Sequence, residues 1–120
     1  MRTKSEQKIG NELELNGIPY RYEQAISVYV LWMEGILGNN GKGYKTYYPD
    51  FTILTITGEQ MIWEHLGRVD KEDYRMHNME KICAYRKSIR DEMLILTFES
   101  DLQDSGILQE LIARRILQYM

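Results

Sequence analysis

The sequence contains very little cysteine and histidine. Cys83 is the only cysteine among 120 residues, which excludes a disulfide framework and a zinc site made of thiolates. A lone cysteine is also typical of proteins in a reducing compartment, so we expect the chain to be cytoplasmic. His65 and His77 are the only histidines, which are too few for a histidine-rich zinc site. Ser5 and Ser88 have no histidine beside them in the sequence, so a hydrolase triad finds no support.

Long apolar runs are also missing. No segment approaches the length of a membrane span, and the polar first eight residues lack the apolar region of a signal peptide. We therefore expect no membrane partner. The net charge of −3 argues only weakly against a nucleic-acid partner, because the charges are unevenly spread. Residues 68–90 hold seven bases and four acids, whereas residues 91–120 hold six acids and two bases.

Length and composition indicate one globular domain spanning residues 1–120. At 14.3 kDa the chain can bury one sizeable core but not two. Hydrophobic residues make up 43% and charged residues 28%, and this balance is ordinary for a globular protein rather than a disordered one.

Periodicity predicts the element order helix, three or four strands, helix, strand, helix. The helices are predicted at 3–16, 71–89 and 105–119. The strands are predicted at 19–23, 46–57, 60–66 and 93–98, with an ambiguous strand within 25–37 and a glycine-rich loop at 38–43. This order, αβββαβα, predicts an α/β fold in which helices flank a central mixed β-sheet of four or more strands.

Two acids border the predicted hairpin. Asp50 opens an apolar run that ends at Ile56, and Glu64 closes the run that follows the turn at 57–60. A hairpin brings the start of its first strand beside the end of its second, so we expect the two carboxylates to meet at one sheet edge. Converging carboxylates hold hard cations such as Mg²⁺. The alternative is that Asp50 caps the turn at Pro49 and Glu64 meets solvent or a lysine.

A third acid, Glu6, lies on the apolar side of the first predicted helix. It precedes Ile9 by three residues and Leu13 by seven, so it shares their helix face. A carboxylate on that face needs a compensating partner. The other explanation is an acid of the first turn that the helix dipole favours.

Four short strings occur in order along the chain. They are Lys4-Ser5-Glu6, Tyr48-Pro49-Asp50-Phe51-Thr52-Ile53, Ile62-Trp63-Glu64-His65-Leu66-Gly67 and Leu94-Ile95-Leu96-Thr97-Phe98-Glu99. In this order and at these spacings they resemble the PD-(D/E)XK nuclease superfamily. The similarity is greatest to small restriction-endonuclease-like domains found alone or attached to bacterial helicase-like proteins, and it runs from about residue 3 to residue 99.

The resemblance implies a restriction-endonuclease-like core and a Mg²⁺- or Mn²⁺-dependent nuclease that hydrolyses DNA phosphodiester bonds. Such enzymes act in DNA processing, repair or mobile-element biology. By the same resemblance Asp50 and Glu64 are expected as metal ligands, and Glu6 is expected to orient a metal-bound water or help to bind a second ion. The implied partners are DNA and either a second copy of the chain or a larger helicase-type protein.

The sequence departs from the family pattern at position 66. The superfamily usually has a lysine there, whereas this chain has Leu66. Lys81 is one substitute: the segment from Lys81 to Tyr85 resembles a Gln-three-residues-Tyr element of some branches, and Tyr74 shares its stripe. His65 is the other, but strand alternation turns it away from the second acid and favours a packing role. We therefore predict Lys81 as the catalytic lysine, with His65, Tyr74 and Tyr85 as accessory residues.

The missing lysine leaves other functions open. A degenerate nuclease fold could bind DNA or a partner protein without cutting. Retention of three mutually repelling acids favours the enzyme, because a pure binding module has no need to keep them together. An intracellular domain of unrelated function is the third interpretation.

Overall fold

The computed structural model describes the backbone of residues 3–29, 44–67 and 72–120, and the side chains of residues 3–27, 46–67 and 78–120. Within these ranges the helices are α1 (Lys4–Leu15), α2 (Glu72–Ser88) and α3 (Ser105–Arg115). The strands are β1 (Arg21–Tyr22), β2 (Ile26–Tyr29), β3 (Tyr44–Tyr47), β4 (Phe51–Leu54), β5 (Gln60–Gly67) and β6 (Leu94–Phe98). Short 3₁₀ helices follow at Asp91–Met93, Glu99–Leu102 and Leu117–Tyr119.

Four of the strands form one mixed sheet in the order β1-β4-β5-β6. β4 is antiparallel to both β1 and β5, whereas β5 and β6 are parallel. α2 lies between β5 and β6 in the chain, because parallel neighbours need a long crossover connection. β2 and β3 form a separate antiparallel pair. The prediction of an α/β fold with a mixed four-stranded sheet and three helices is confirmed for the described residues.

The prediction of one continuous strand at 46–57 is wrong, because the structure has two separate strands there. β3 ends at Tyr47 and β4 begins at Phe51, and these two strands belong to different sheets. Pro49 explains the break: it has no amide hydrogen to donate, and it restricts the backbone of Tyr48. Asp50 therefore lies in the bend that leads into β4, rather than within a continuous strand.

Other boundaries also differ from the sequence prediction. The helix predicted at 105–119 ends at Arg115 and is followed by a separate 3₁₀ turn. The strand predicted at 19–23 is reduced to Arg21–Tyr22. The glycine-rich loop predicted at 38–43 and most of the ambiguous strand at 25–37 lie outside the described residues.

The sheet separates two clusters of buried side chains. On one face, Trp63 of β5 packs in a cluster with Leu13 of α1 and Ile112 of α3. On the other face, Ile62 packs with Tyr85 of α2. Because side chains alternate along a strand, the residue that follows Trp63 faces α2, and the next one faces α1. Strand alternation alone therefore places Glu64 and His65 on opposite faces of the sheet.

Gly67 ends β5 with a left-handed backbone, at φ +62, directly after an irregularity in the pairing with β6. A Cβ atom at this position would find its nearest neighbour 4.0 Å away, so space is not the constraint. We predict that Gly67→Ala lowers the free energy of unfolding by about 1–2 kcal/mol, because an L-residue is strained in this conformation. Chemical denaturation would measure the loss. Gly67→Asn should cost less, since Asn tolerates the left-handed region, and equal stability of the alanine variant and the wild type would contradict the argument.

Candidate active site

The β4–β5 hairpin places Asp50 beside Glu64. Phe51 pairs with Trp63. Asp50, one residue before Phe51, and Glu64, one residue after Trp63, therefore lie at the same end of the antiparallel hairpin. Asp50 Oδ2 accepts a hydrogen bond of 2.8 Å from the backbone N–H of His65. This bond ties the bend before β4 to the end of β5.

Glu64 is a buried carboxylate with two donors from α2. Its side chain is 1% exposed. Lys81 Nζ donates to Oε2 at 3.0 Å, and Tyr85 Oη donates to Oε1 at 2.9 Å. Lys81 and Tyr85 are four residues apart, so they project from one face of the helix on successive turns. The pair of donors compensates a charge that burial alone would make very costly.

Burial raises the proton affinity of both carboxylates, and the charge of Glu64 adds to this effect at Asp50. Burial, followed by the negative charge of Glu64, raises the pKa of Asp50 to about 7, against the opposing hydrogen bond from His65. Burial also raises the pKa of Glu64, while the ammonium of Lys81 and the hydroxyl of Tyr85 act in the opposite direction. Ionising both carboxylates in this buried site is therefore costly, and a bound cation would reduce that cost.

Glu6 is held at the start of α1 by its own backbone surroundings. Its N–H donates to Thr3 Oγ1 at 3.2 Å, and Thr3 N–H donates to Glu6 Oε2 at 3.3 Å, which forms a capping box. Tyr22 Oη of β1 donates to the same Oε2. Burial, followed by this hydrogen bond to the Glu6 carboxylate, raises the pKa of Tyr22. The capping box accounts locally for an acid in the first turn of the helix.

The three predicted acids are electrostatically linked but do not form a complete ligand set. The charge of Glu6 contributes to the raised pKa of both Asp50 and Glu64. Nevertheless, among the side chains that the structure describes, no three His, Cys, Asp or Glu groups are close enough to hold a metal ion. The residues present fit a hard cation bound by two carboxylates, since oxygen donors are what Mg²⁺ prefers.

The accessory residues lie in different places. Tyr85 contacts Glu64 directly. The ring of His65 lies on the opposite face of β5, with Thr97 and Glu99 as its partners, so it cannot substitute for the lysine. Tyr74 belongs to α2, but its side chain is outside the described residues.

The sequence analysis did not assign Tyr22, Thr52 or Asn78 to this site. The place of Tyr22 beside the site follows from the pairing of β1 with β4, which no local sequence pattern indicates. Thr52 and Asn78 are 3% and 4% exposed, and among the described residues Thr52 Oγ1 and Asn78 Nδ2 have no hydrogen-bond partner. The only signal for Asn78 was its spacing from Lys81 on one helix face.

No protein-family model matches the chain, and searches of the curated proteins and of the solved structures find no match. Within the described ranges, every helix is too short or too polar to cross a membrane.

Proposed function

We propose that this protein is a divalent-metal-dependent nuclease of the PD-(D/E)XK type that hydrolyses DNA phosphodiester bonds. The single observation that carries the proposal is the contact of Lys81 with Glu64 beside Asp50. A lysine Nζ lies 3.0 Å from the second acid of the pattern, although the sequence position that usually supplies this lysine is occupied by Leu66. α2 thus offers the missing group from another element.

The resemblance in sequence and the mixed α/β architecture support the same proposal. The hairpin carries both acids, and the parallel strand β6 follows the helix that bears Lys81. A restriction-endonuclease-like core would have its acids and lysine in this arrangement. Mutual repulsion between Asp50 and Glu64 is costly for stability, and it is explained if the site exists to hold a cation.

Asp50 and Glu64 would hold Mg²⁺ or Mn²⁺, which when bound neutralises the scissile phosphate and increases the acidity of a bound water. Lys81 has three N–H donors and donates one of them to Glu64. Its remaining donors are available to a phosphate oxygen or to the attacking water. Tyr85 holds the other oxygen of Glu64 and so fixes the direction of that carboxylate. Glu6, held by Tyr22, adds negative charge at longer range.

A second candidate is a degenerate nuclease fold that binds DNA or a protein without cutting. One observation favours it: both carboxylate oxygens of Glu64 already accept hydrogen bonds from Lys81 and Tyr85. A positive side chain that compensates a buried acid can keep the site folded without any ion. The two candidates differ in whether the site performs chemistry.

A cleavage assay separates them. We expect the wild-type chain to cut DNA with Mg²⁺ or Mn²⁺ and not with EDTA, and Asp50→Asn to lower the rate by about 100-fold or more, because a carboxylate ligand is lost. Single-stranded, duplex and branched DNA should each be tested, with the products separated by gel electrophoresis. The matched control is Asp91→Asn, which removes an exposed acid from a 3₁₀ turn.

Three outcomes are informative. Metal-dependent cutting that Asp50→Asn abolishes and Asp91→Asn preserves supports the nuclease. If the wild-type protein binds DNA in calorimetry but cuts none of the substrates with either metal, the binding module stands instead. Equal cutting by wild type and Asp50→Asn would assign the activity to a contaminant or to another site.

A further inference from the structure

A second polar network lies on the face of β5 opposite the candidate active site. The His65 side chain is 5% exposed; its Nδ1 lies 2.9 Å from Thr97 Oγ1, and its Nε2 lies 2.9 Å from Glu99 Oε1. Trp63 Nε1 donates to the same Thr97 oxygen at 3.0 Å. Ser5 Oγ donates to the same Glu99 oxygen at 2.7 Å. The network therefore joins α1, β5, β6 and the turn that follows β6.

The direction of each hydrogen bond in this network can be assigned from its donors. An indole N–H can only donate, so Thr97 Oγ1 accepts from Trp63 and directs its own proton to His65 Nδ1. Thr97 is 0% exposed, so water is not an alternative acceptor for that proton. An ionised carboxylate only accepts, so His65 Nε2 carries the ring proton and donates it to Glu99. With a proton on Nε2 and none on Nδ1, the ring donates to Glu99 and accepts from Thr97.

The same network is connected to the candidate active site at two places, through the backbone of β5 and through that of α1. The N–H of His65 donates to Asp50 Oδ2 at 2.8 Å. On α1, Ser5 is the residue before Glu6, whose carboxylate accepts from Tyr22 Oη. Tyr22 in turn belongs to β1, which pairs with β4 directly after Asp50. A closed ring of contacts thus runs from Asp50 through His65 and the network to α1, and back through β1.

We propose that the Ser5–Glu99–His65 chain is a positioning device for the candidate active site, an inference that rests on the proposed nuclease function. By fixing the imidazole, it keeps the backbone N–H of His65 directed at Asp50. By binding Ser5, it holds the first turn of α1, and therefore Glu6, at a constant distance from the same carboxylate. None of the three residues needs to touch substrate for this effect.

The test compares variants that break the chain with one that preserves it. Ser5→Ala and Glu99→Ala should each lower kcat by about 10- to 100-fold, as is usual when groups that orient metal ligands are lost, with little change in KM. Glu99→Gln should stay near the wild-type rate, because its amide oxygen can accept both hydrogen bonds. The double variant that combines Ser5→Ala with Glu99→Ala should be no slower than Glu99→Ala alone, because both substitutions break the same chain of hydrogen bonds.

A readout independent of activity is hydrogen exchange of the His65 backbone amide, followed by NMR. We expect exchange at least about tenfold faster in Glu99→Ala and unchanged in Glu99→Gln, since the bond to Asp50 opens more often when the ring is released. The control is Arg90→Gln, which removes a surface ion pair with Glu59 at 2.8 Å. That variant should change neither measurement.

The outcomes distinguish this inference from the proposed function. If the wild-type chain cuts DNA while both alanine variants keep its rate and its His65 exchange, the positioning device is refuted. Failure of Glu99→Gln to rescue the rate would also refute it, because the effect would then depend on charge. If the wild type cuts nothing, the nuclease proposal fails, and unchanged amide exchange in Glu99→Ala would separately exclude the positioning of Asp50.

Discussion

Lys81→Met should lower the free energy of unfolding by about 3 kcal/mol, because it leaves the Glu64 carboxylate buried without its positive partner. The Glu64 side chain is 1% exposed and that of Lys81 is 17% exposed, so solvent cannot replace the lost ammonium. Surface ion pairs cost at most about 1 kcal/mol when they are broken. Urea denaturation of both proteins at pH 8 would measure the difference in the free energy of unfolding. A loss below about 1 kcal/mol would show that Glu64 finds another partner.

The matched control for Lys81→Met is the double variant that also carries Glu64→Gln. The introduced glutamine is neutral and keeps an oxygen that can accept from Tyr85, so the double variant should recover most of the lost stability. Cleavage behaves differently. We expect Lys81→Met to reduce the rate by about 100-fold or more, in the range found for general acid–base groups, and the double variant to remain inactive. Recovery of cleavage in the double variant would exclude a catalytic role for Lys81.

Local sequence patterns predicted the secondary structure where the signal lay within one element. α1 was evident from the apolar spacing of Ile9 and Leu13, and the hairpin from two apolar runs around a short turn. The same reasoning joined β3 to β4, because a run of apolar and aromatic residues conceals the effect of Pro49. Proline acts here by restricting its neighbour, and a periodicity count does not register that restriction.

Contacts between distant elements were much harder to predict. The approach of Lys81 to Glu64 follows from the crossover of α2 over the sheet, and the stripe on α2 gave a partial signal for it. Nothing in the sequence indicated that Ser5 would meet Glu99, 94 residues away. Such pairs depend on the order of strands in the sheet, which is set by the packing of both faces rather than by local propensity.

Between about pH 4 and pH 7 the wild-type protein should lose stability as the pH rises, because of Asp50. Its pKa is about 7 when folded, against an ordinary value of 3.8. The folded state therefore binds this proton more tightly than the unfolded state does, and raising the pH through this window favours unfolding. Each tenfold change in proton affinity corresponds to about 1.4 kcal/mol, so the upper limit of the loss is about 4 kcal/mol. The site is partly open to water, and we expect about half of that.

Asp50→Asn isolates this effect. Asn is neutral at every pH, and its carbonyl oxygen can still accept from the N–H of His65. The variant should therefore be more stable than the wild type at pH 8, and the two should converge near pH 4, where Asp50 is protonated. Glu64 is present in both proteins, so the difference between their denaturation curves reports the carboxylate of Asp50 together with its interaction with Glu64. Parallel stability curves across this pH range would show that folding does not raise the pKa of Asp50.

Adding Mg²⁺ to the same measurement tests the cation site without any nucleic acid. A ligand that binds only the folded protein stabilises it in proportion to the logarithm of its concentration over Kd. Mg²⁺ competes with the proton for Asp50, so it should stabilise the wild type more at pH 8 than at pH 5, and Asp50→Asn little at either. Equal effects on both proteins would place the ion elsewhere. A variant that gains stability while losing cation binding would indicate that the strain between Asp50 and Glu64 is retained for function.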